Sequence, residues 1–321
     1  NLTIIMDCVM TFFGSTANDA CFNAWLTDST DNSNRGAAEG INAMMPMLAI
    51  LVVFGSFMFF DLEQAASWVT IFTIIGVVVI LIGIAGFWLI KEPEVTPTPA
   101  GSYWGSILYG FKPSVVWQHK VLYLTLLAFA GFGISIQIFM PYLILYYEKS
   151  LGMENYVLVM APAIVLAAVF TAFYGRRYDT RGFRSAILPG VALLLLGYLI
   201  LYFTRSTLPV FLGSLCMMMG YLSGTAVFGA MMRTYTPPEQ VGLFQGLRIV
   251  AQVLVPGVIG PTIGAAVLKN AELVVGSDGT VSFLPNADIW LAAFAAGLVL
   301  CVLLAVLFAR LKKEPQPLPR Q

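Results

Sequence analysis

The chain has 321 residues, of which 59% are hydrophobic and 11% are charged. A soluble domain of this length needs more charge to cover its surface, so the composition excludes an ordinary soluble protein. The net charge is zero, which gives no case for nucleic-acid binding. A single histidine, and four cysteines dispersed in apolar runs, argue against a metal centre or a disulfide framework.

Nine apolar runs are long enough to cross a bilayer, which takes about 20 residues of helix. Helix is the expected structure for each, because backbone groups in lipid must be bonded within the segment and the runs are too long for barrel strands. The predicted fold class is an all-α polytopic membrane protein. In chain order the runs are 2–26, 41–60, 68–90, 121–147, 156–175, 185–204, 208–234, 249–268 and 289–311.

The connectors between these runs suggest a division into two bundles. The longest, 91–120, begins rich in proline and is predicted to join a first bundle in 1–90 to a six-helix bundle in 121–311, with a tail at 312–321. The loop 270–288 contains two short apolar segments around a Gly-rich stretch. This pattern fits a small hairpin, and a plain loop is an equal alternative.

The basic residues orient the chain, because connectors that carry Lys and Arg near span ends stay in the cytoplasm. Three of the seventeen lie on one set of connectors: Lys149, Arg205 and Lys269. The other fourteen lie on the opposite set: Arg35, Lys91, Lys112, Lys120, Arg176, Arg177, Arg181, Arg184, Arg233, Arg248, Arg310, Lys312, Lys313 and Arg320. We therefore expect a multi-pass protein of the plasma membrane with a cytoplasmic C-terminus.

A short internal repeat supports the division into two bundles. The segments Arg35–Gly40 and Val241–Gly246 both read x-Gly-x-x-(Glu/Gln)-Gly, and both open a span after a polar turn on the basic side. Parallel repeats related by an axis along the membrane normal are common in transporters.

The segment Gly175–Arg184, between the fifth and sixth runs, resembles the inner-loop signature of the major facilitator superfamily, G-x-x-x-D-(R/K)-x-G-R-(R/K). Gly175, Asp179, Gly182 and Arg184 match it, whereas Thr180 and Phe183 depart from it. The resemblance implies that the nine runs are helices 4 to 12 of a twelve-helix carrier. The connector 91–120 would then lie where the two halves of the carrier join.

Other stretches resemble a branch of that superfamily, the glycoside–pentoside–hexuronide cation symporters. They are Gly14–Ala20, the turn Asp28–Arg35 and Thr236–Glu239. The resemblance implies a sugar-like polar solute, coupling to H⁺ or Na⁺, and no other cofactor. The chain begins without a methionine and reads as a carrier that lacks helices 1–3, so we expect that this chain alone does not transport.

The first run has one polar face, at a spacing of three to four residues. Its members are Asp7, Thr11, Ser15, Asn18, Asp19 and Asn23. A carboxylate inside a bilayer costs about 2.5–3.5 kcal/mol on insertion scales, so such groups normally face a water-filled path or a partner. We interpret the face as lining a transport path, with Asp19 binding the coupling cation. In the alternative, Asp7 reaches the outer interface and Asp19 bonds neighbouring helices.

Two amides lie within later spans near residues that permit a bend. Gln137 follows two glycines, and Gln252 precedes a segment rich in Gly and Pro. Each could bond the hydroxyl groups of a polar cargo, or could instead hold neighbouring helices together.

The signature residues are expected to form a cytoplasmic gate: Gly175, Asp179, Arg181, Gly182 and Arg184. The resemblance implies that Asp179 pairs with Arg248, and that Arg35 and Glu39 do similar work beneath the first bundle. Glycine at 175 and 182 allows close approach or a positive φ. The alternative is that the basic connectors only bind anionic headgroups.

The function that these patterns favour is secondary active transport of a small polar solute by alternating access. The chain has no Gly-x-x-x-x-Gly-Lys-(Ser/Thr) loop, so direct ATP hydrolysis is not expected. An exporter of amphiphilic compounds and a non-transporting membrane sensor or lipid-binding protein remain alternatives. A lipid-modifying enzyme would need a convergent nucleophile, base or metal set, and no such set occurs. The expected partners are the solute, the coupling cation and the bilayer.

Overall fold

A computed structural model describes residues 2–15, 21–57, 60–61, 64–91, 109–153, 156–237, 240–275 and 281–313. Helices dominate these residues. The α-helices are α1 (Leu2–Ser15), α2 (Asn23–Asp28), α3 (Arg35–Phe57), α4 (Ala65–Leu89), α5 (Pro113–Gln118), α6 (Lys120–Gln137), α7 (Leu143–Leu145), α8 (Val157–Phe203), α9 (Thr207–Tyr235), α10 (Val241–Ile249), α11 (Val255–Val267) and α12 (Asp288–Leu311).

Six helical segments of the described residues are long and apolar enough to cross a membrane. They are Ala66–Leu89, Lys120–Ser150, Val157–Phe203, Thr207–Tyr235, Val241–Val267 and Asp288–Leu311. Within 2–26, the described residues form α1 and α2; the 41–60 run corresponds to α3. The predicted all-α polytopic class is confirmed, and the expected partial fold with about nine of twelve helices fits it.

The connector predicted between the runs 156–175 and 185–204 is shorter than expected, because helix extends into it from both sides. The segment Val157–Phe203, α8, consists of two helical parts that meet at a kink at the non-helical residue Gly182. Gly182 has φ 74°, a left-handed conformation that glycine adopts without a steric penalty. The chain therefore turns at this one residue and keeps its helical hydrogen bonds on either side.

Two spans are interrupted in places where proline removes a backbone donor. After α6 the chain passes through a 3₁₀ turn (Met140–Tyr142), α7 and a π-helical turn (Tyr146–Ser150). A second π-helical turn (Val250–Leu254) separates α10 from α11. Pro256 follows it and has no amide to donate to the carbonyl four residues earlier, so the regular α pattern breaks here. Single π turns of this kind often mark functional positions.

The core lies among α6, α8, α9 and α12, which pack on one another. Its largest buried side chain, Trp290, lies against Phe139 and Tyr146, with ring centroids 4.8 Å and 5.4 Å away. By contrast, α4 leaves apolar side chains such as Phe87 exposed, at 89%. A helix that faces lipid presents such a surface.

The loop after α11 contains a two-stranded antiparallel hairpin, so the hairpin alternative for this loop is confirmed. Its strands are β1 (Leu273–Val275) and β2 (Val281–Phe283), with Val274 opposite Ser282. The Gly-rich turn between them lies outside the described residues.

Candidate functional site

One end of the molecule carries a group of six basic side chains: Arg176, Arg177, Arg181, Arg184, Arg233 and Arg310. We call it the basic end and define it by the turn 29–34, residues 176–184 of α8, the last turn of α9 and the last turn of α12. Residues from each of these segments line one cavity, so they lie together in the fold.

The turn before α3 is held by its own polar side chains. Oδ1 of Asp31 accepts hydrogen bonds from the amide (2.8 Å) and hydroxyl (2.5 Å) of Ser33. These bonds lower the pKa of the Asp31 carboxyl. Arg35 donates to Oδ1 of Asn32 (2.9 Å) and to the carbonyl of Thr30 (3.3 Å). Arg35 therefore stabilises the turn from which α3 begins.

Asp179 binds the N-terminus of α3. Its Oδ1 accepts a hydrogen bond from the amide of Gly36 at 2.7 Å, and its Oδ2 accepts one from Ala37 at 2.9 Å. The first amides of a helix have no partner within the helix and carry its positive dipole end, so a carboxylate is well suited to this position. The predicted pairing of Asp179 with Arg248 is wrong.

Two glycines allow this contact. Gly36 of α3 and Gly175 of α8 pack so closely that a Cβ on either residue would collide with the carbonyl oxygen of the other. The predicted close approach at Gly175 is confirmed, and it brings α3 to within hydrogen-bonding distance of Asp179.

A second contact joins the same helix end to α9. We call it the Arg233 cluster; it comprises Arg233, Glu39, Asn23, Thr27 and Asn42. Nε of Arg233 donates to Oε1 of Glu39, and both side chains are only 3% exposed. The guanidinium also donates to the carbonyl of Asn23 (2.5 Å), to its Oδ1 (2.7 Å) and to the hydroxyl of Thr27 (2.7 Å). Asn42 donates to Oε2 of Glu39 at 3.1 Å.

This cluster is strongly constrained by its burial. Removing one partner of a buried ion pair costs about 3–5 kcal/mol, because the remaining charge has no compensation. Four donors of the guanidinium are used, and they bind groups from both α2 and α3. The cluster therefore ties α2, α3 and α9 together at the basic end.

A cavity of about 220 Å³ adjoins the Arg233 cluster on the side away from the basic end. We call it the central cavity. It extends along α3 from Glu39 to Met47, about 12 Å at roughly 1.5 Å per residue. Its polar lining consists of Asn23, Glu39, Asn42, Tyr221, Thr225, Arg248 and Gln252. Nε of Arg248 donates to Oε1 of Gln252 at 3.2 Å, which orients the Gln252 amide.

A second cavity, of about 580 Å³, lies at the basic end itself. Four of its lining residues are among the signature residues expected to form a gate: Asp179, Arg181, Gly182 and Arg184. The guanidinium of Arg184 lies over the ring of Phe308, 5.5 Å from its centroid. These signature residues lie outside the central cavity and surround the bend in α8.

The residues predicted to line a path are only partly brought together. Asn23 and Gln252 line the central cavity, whereas Gln137 lies against Gly260 and is absent from the described part of the cavity lining. Thr11 is exposed on α1.

Four further path residues have no described side-chain environment. Asp7 and Ser15 belong to α1, and their side chains lie outside the description. Asn18 and Asp19 lie outside the described residues altogether.

Sequence reasoning missed Arg233, and with it Thr27 and Asn42. Arg233 was counted among the basic connector residues, yet it falls within the apolar run 208–234. A charged residue inside a membrane span normally has a partner or a function. The position of Arg233 within an apolar run could therefore have identified it as a candidate site residue.

A family model described as the Major Facilitator Superfamily matches residues 3–227 and, in a second match, residues 158–321. The chain belongs to the major facilitator superfamily. It is a multi-pass membrane transporter, and members of this superfamily are generally not enzymes. No curated protein matched the chain.

Proposed function

We propose that the protein is a secondary active transporter that moves a small, sugar-like polar solute by alternating access, coupled to H⁺ or Na⁺. The observation that carries this proposal is the arrangement of the Arg233 cluster and the central cavity. A polar cavity lies directly against a buried set of contacts that closes one end of the molecule. A carrier that holds its solute between alternately opened ends needs such a pair of features.

The excess of basic residues supports a cytoplasmic location for the basic end, and hence for the C-terminus, in the plasma membrane. With the basic end closed on the cytoplasmic side, the proposed state is outward-facing. Rocking of the bundle in 1–90 against the bundle in 121–311 would separate Asp179 from α3 and Arg233 from Glu39. Contacts made in one state only bias the equilibrium toward that state.

The lining of the central cavity favours a small polar solute. Amides at Asn42 and Gln252 and the hydroxyl of Thr225 can bond the hydroxyl groups of a sugar. An exporter of amphiphilic compounds is the second candidate, favoured by the aromatic and apolar side chains of Phe129 and Met47 in the same wall. The volume favours the first, because drug-sized ligands occupy pockets of about 300–1,000 Å³.

Uptake by proteoliposomes tests this proposal. The full-length protein would be reconstituted and given a panel of labelled sugars under an imposed H⁺ or Na⁺ gradient. We expect accumulation of at least one sugar that depends on the gradient and saturates with concentration. Gln252→Ala should raise the KM for that sugar. Folded protein that shows neither accumulation nor exchange of any sugar would favour the exporter or the non-transporting sensor.

A further inference from the structure

The cavity at the basic end, which we call the basic-end cavity, is lined from both bundles. Asn32, in the turn before α3, lines it from the first bundle. The bend of α8 and the ends of α9 and α12 form the rest of its wall. Its volume of about 580 Å³ lies within the range of about 300–1,000 Å³ that is usual for ligand pockets. The cavity therefore has room for a small ligand in contact with both bundles.

Positive charge dominates the lining of the basic-end cavity. Arg181, Arg184 and Lys312 line it, and all three side chains are exposed. Neither of the ion pairs found among the described residues includes any of these three cations. A recess lined by charges of one sign attracts counter-ions, because its low-dielectric walls concentrate the electric field.

The carboxylate of Asp179 also lines this cavity, but its two oxygens are directed at α3. They accept hydrogen bonds from the amides of Gly36 and Ala37, at 2.7 Å and 2.9 Å. The carboxylate thereby compensates the positive end of the α3 dipole. Three cations and one carboxylate with partners elsewhere leave an excess of positive charge in the cavity.

The kinds of side chain in the lining favour a phosphate group as the counter-ion. A guanidinium donates two parallel hydrogen bonds to a phosphate, and a lysine adds a compact positive charge. Arg181 and Arg184 lie on either side of Gly182, where the chain bends. The guanidinium of Arg184 is supported by the ring of Phe308, 5.5 Å from its centroid. A phosphate group offers three acceptor oxygens and nearly two negative charges, so it can bind more than one of these cations at once.

We propose that the basic-end cavity binds a phosphate group, carried by a lipid headgroup or by a soluble compound, between Arg181, Arg184 and Lys312. The same group reaches the first bundle through Asn32. Oδ1 of Asn32 accepts a hydrogen bond from Arg35, which leaves its amide nitrogen to donate to a phosphate oxygen. The ligand joins the two bundles and stabilises the closed basic end, because it makes its full set of contacts only in that state.

The test measures phosphate binding by the full-length protein in a maltoside detergent, which contains no phosphate. In one arm, inorganic phosphate is titrated at constant ionic strength. In the other, phosphatidylglycerol is added to the micelles, with phosphatidylcholine as the uncharged comparison. The melting temperature is the readout, because a ligand that binds only the folded state raises it. A saturable rise with inorganic phosphate identifies a soluble source, and a rise with phosphatidylglycerol alone identifies a lipid headgroup.

Substitutions in the lining locate the site. Arg181→Gln and Arg184→Gln should each weaken binding about tenfold, because each loses charge-assisted hydrogen bonds. Both side chains are exposed, so these variants should fold. Arg176→Gln removes the same charge from the same helix at an exposed position outside the described lining of the cavity. It is the matched control and should respond like the parent.

The contact with the first bundle has a test of its own. Asn32→Asp keeps the oxygen that accepts from Arg35 but replaces the amide donor with a negative charge. It should weaken binding of either probe, whereas Ser33→Ala, in the same turn but outside the described lining of the cavity, should not. Equal binding by Asn32→Asp and the parent would contradict the bridge between the bundles.

Two results would overturn the phosphate site itself. One is a folded parent protein whose melting temperature responds to neither probe. The other is an equal response in Arg176→Gln and in the cavity variants, which would indicate general attraction of anions to the basic end. These measurements use no solute and no gradient, so they do not depend on the proposed transport function. A parent protein that binds phosphate but moves no sugar would contradict the transport proposal alone.

Discussion

The contact between Asp179 and α3 should set the balance between the closed and open basic end. Asp179→Ala removes both oxygens that bind the amides of Gly36 and Ala37. Replacing a side chain that caps a helix costs about 0.5–2 kcal/mol, and a charge at a helix N-terminus contributes about 0.3–1 kcal/mol. Because these amides can bond water when the end is open, the loss falls on the closed state. A sum of about 1–3 kcal/mol shifts the ratio of states roughly 5–150-fold.

The assay is the labelling of a cysteine placed in the central cavity. Ala43 lines that cavity, and Ala43→Cys would be introduced after replacing the native cysteines Cys8, Cys21, Cys216 and Cys301 with serine. A membrane-impermeant maleimide applied from the basic end should react faster when Asp179→Ala is added. Asp61→Asn, which removes an exposed carboxylate elsewhere, is the matched control. A labelling rate equal to that of the parent would refute the reasoning.

Three further predictions concern neighbouring positions. Gly36→Ala should also raise the labelling rate from the basic end, because its Cβ would collide with Gly175. Gly242→Ala is the control at the equivalent position of the internal repeat. Its Cβ would have no neighbouring atom within 4 Å, so the labelling rate should be unchanged. Arg233→Lys keeps the positive charge but loses the several hydrogen bonds that the guanidinium donates. The free energy of unfolding, measured by thermal denaturation, should therefore fall by about 1.5–3 kcal/mol. An unchanged melting temperature would contradict the burial of the cluster. Gln252→Leu should raise the KM for the solute, whereas Gln137→Leu should not; equal effects would argue against the central cavity as the solute site.

Much of the fold could be predicted from the sequence because membrane spans are local features. Length and hydropathy identify apolar runs such as 68–90 and 289–311 without reference to any other part of the chain. The bend at Gly182 and the close approach at Gly175 were also accessible, since glycine permits conformations and contacts that other residues exclude. The basic residues in 176–184 also indicated that this stretch lies at the end of the molecule where the other basic connectors lie.

The partners of the charged residues were decided only by the tertiary structure. Asp179 binds amides that exist as free donors only because α3 begins at that point and packs against α8. Arg233 and Glu39 are 194 residues apart, and no periodicity or spacing connects them. Hydropathy is a property of neighbouring residues, so it identifies the segments that are long and apolar enough to cross the membrane. Ion pairs and cavities depend on which helices meet, and only the packing of distant segments sets that.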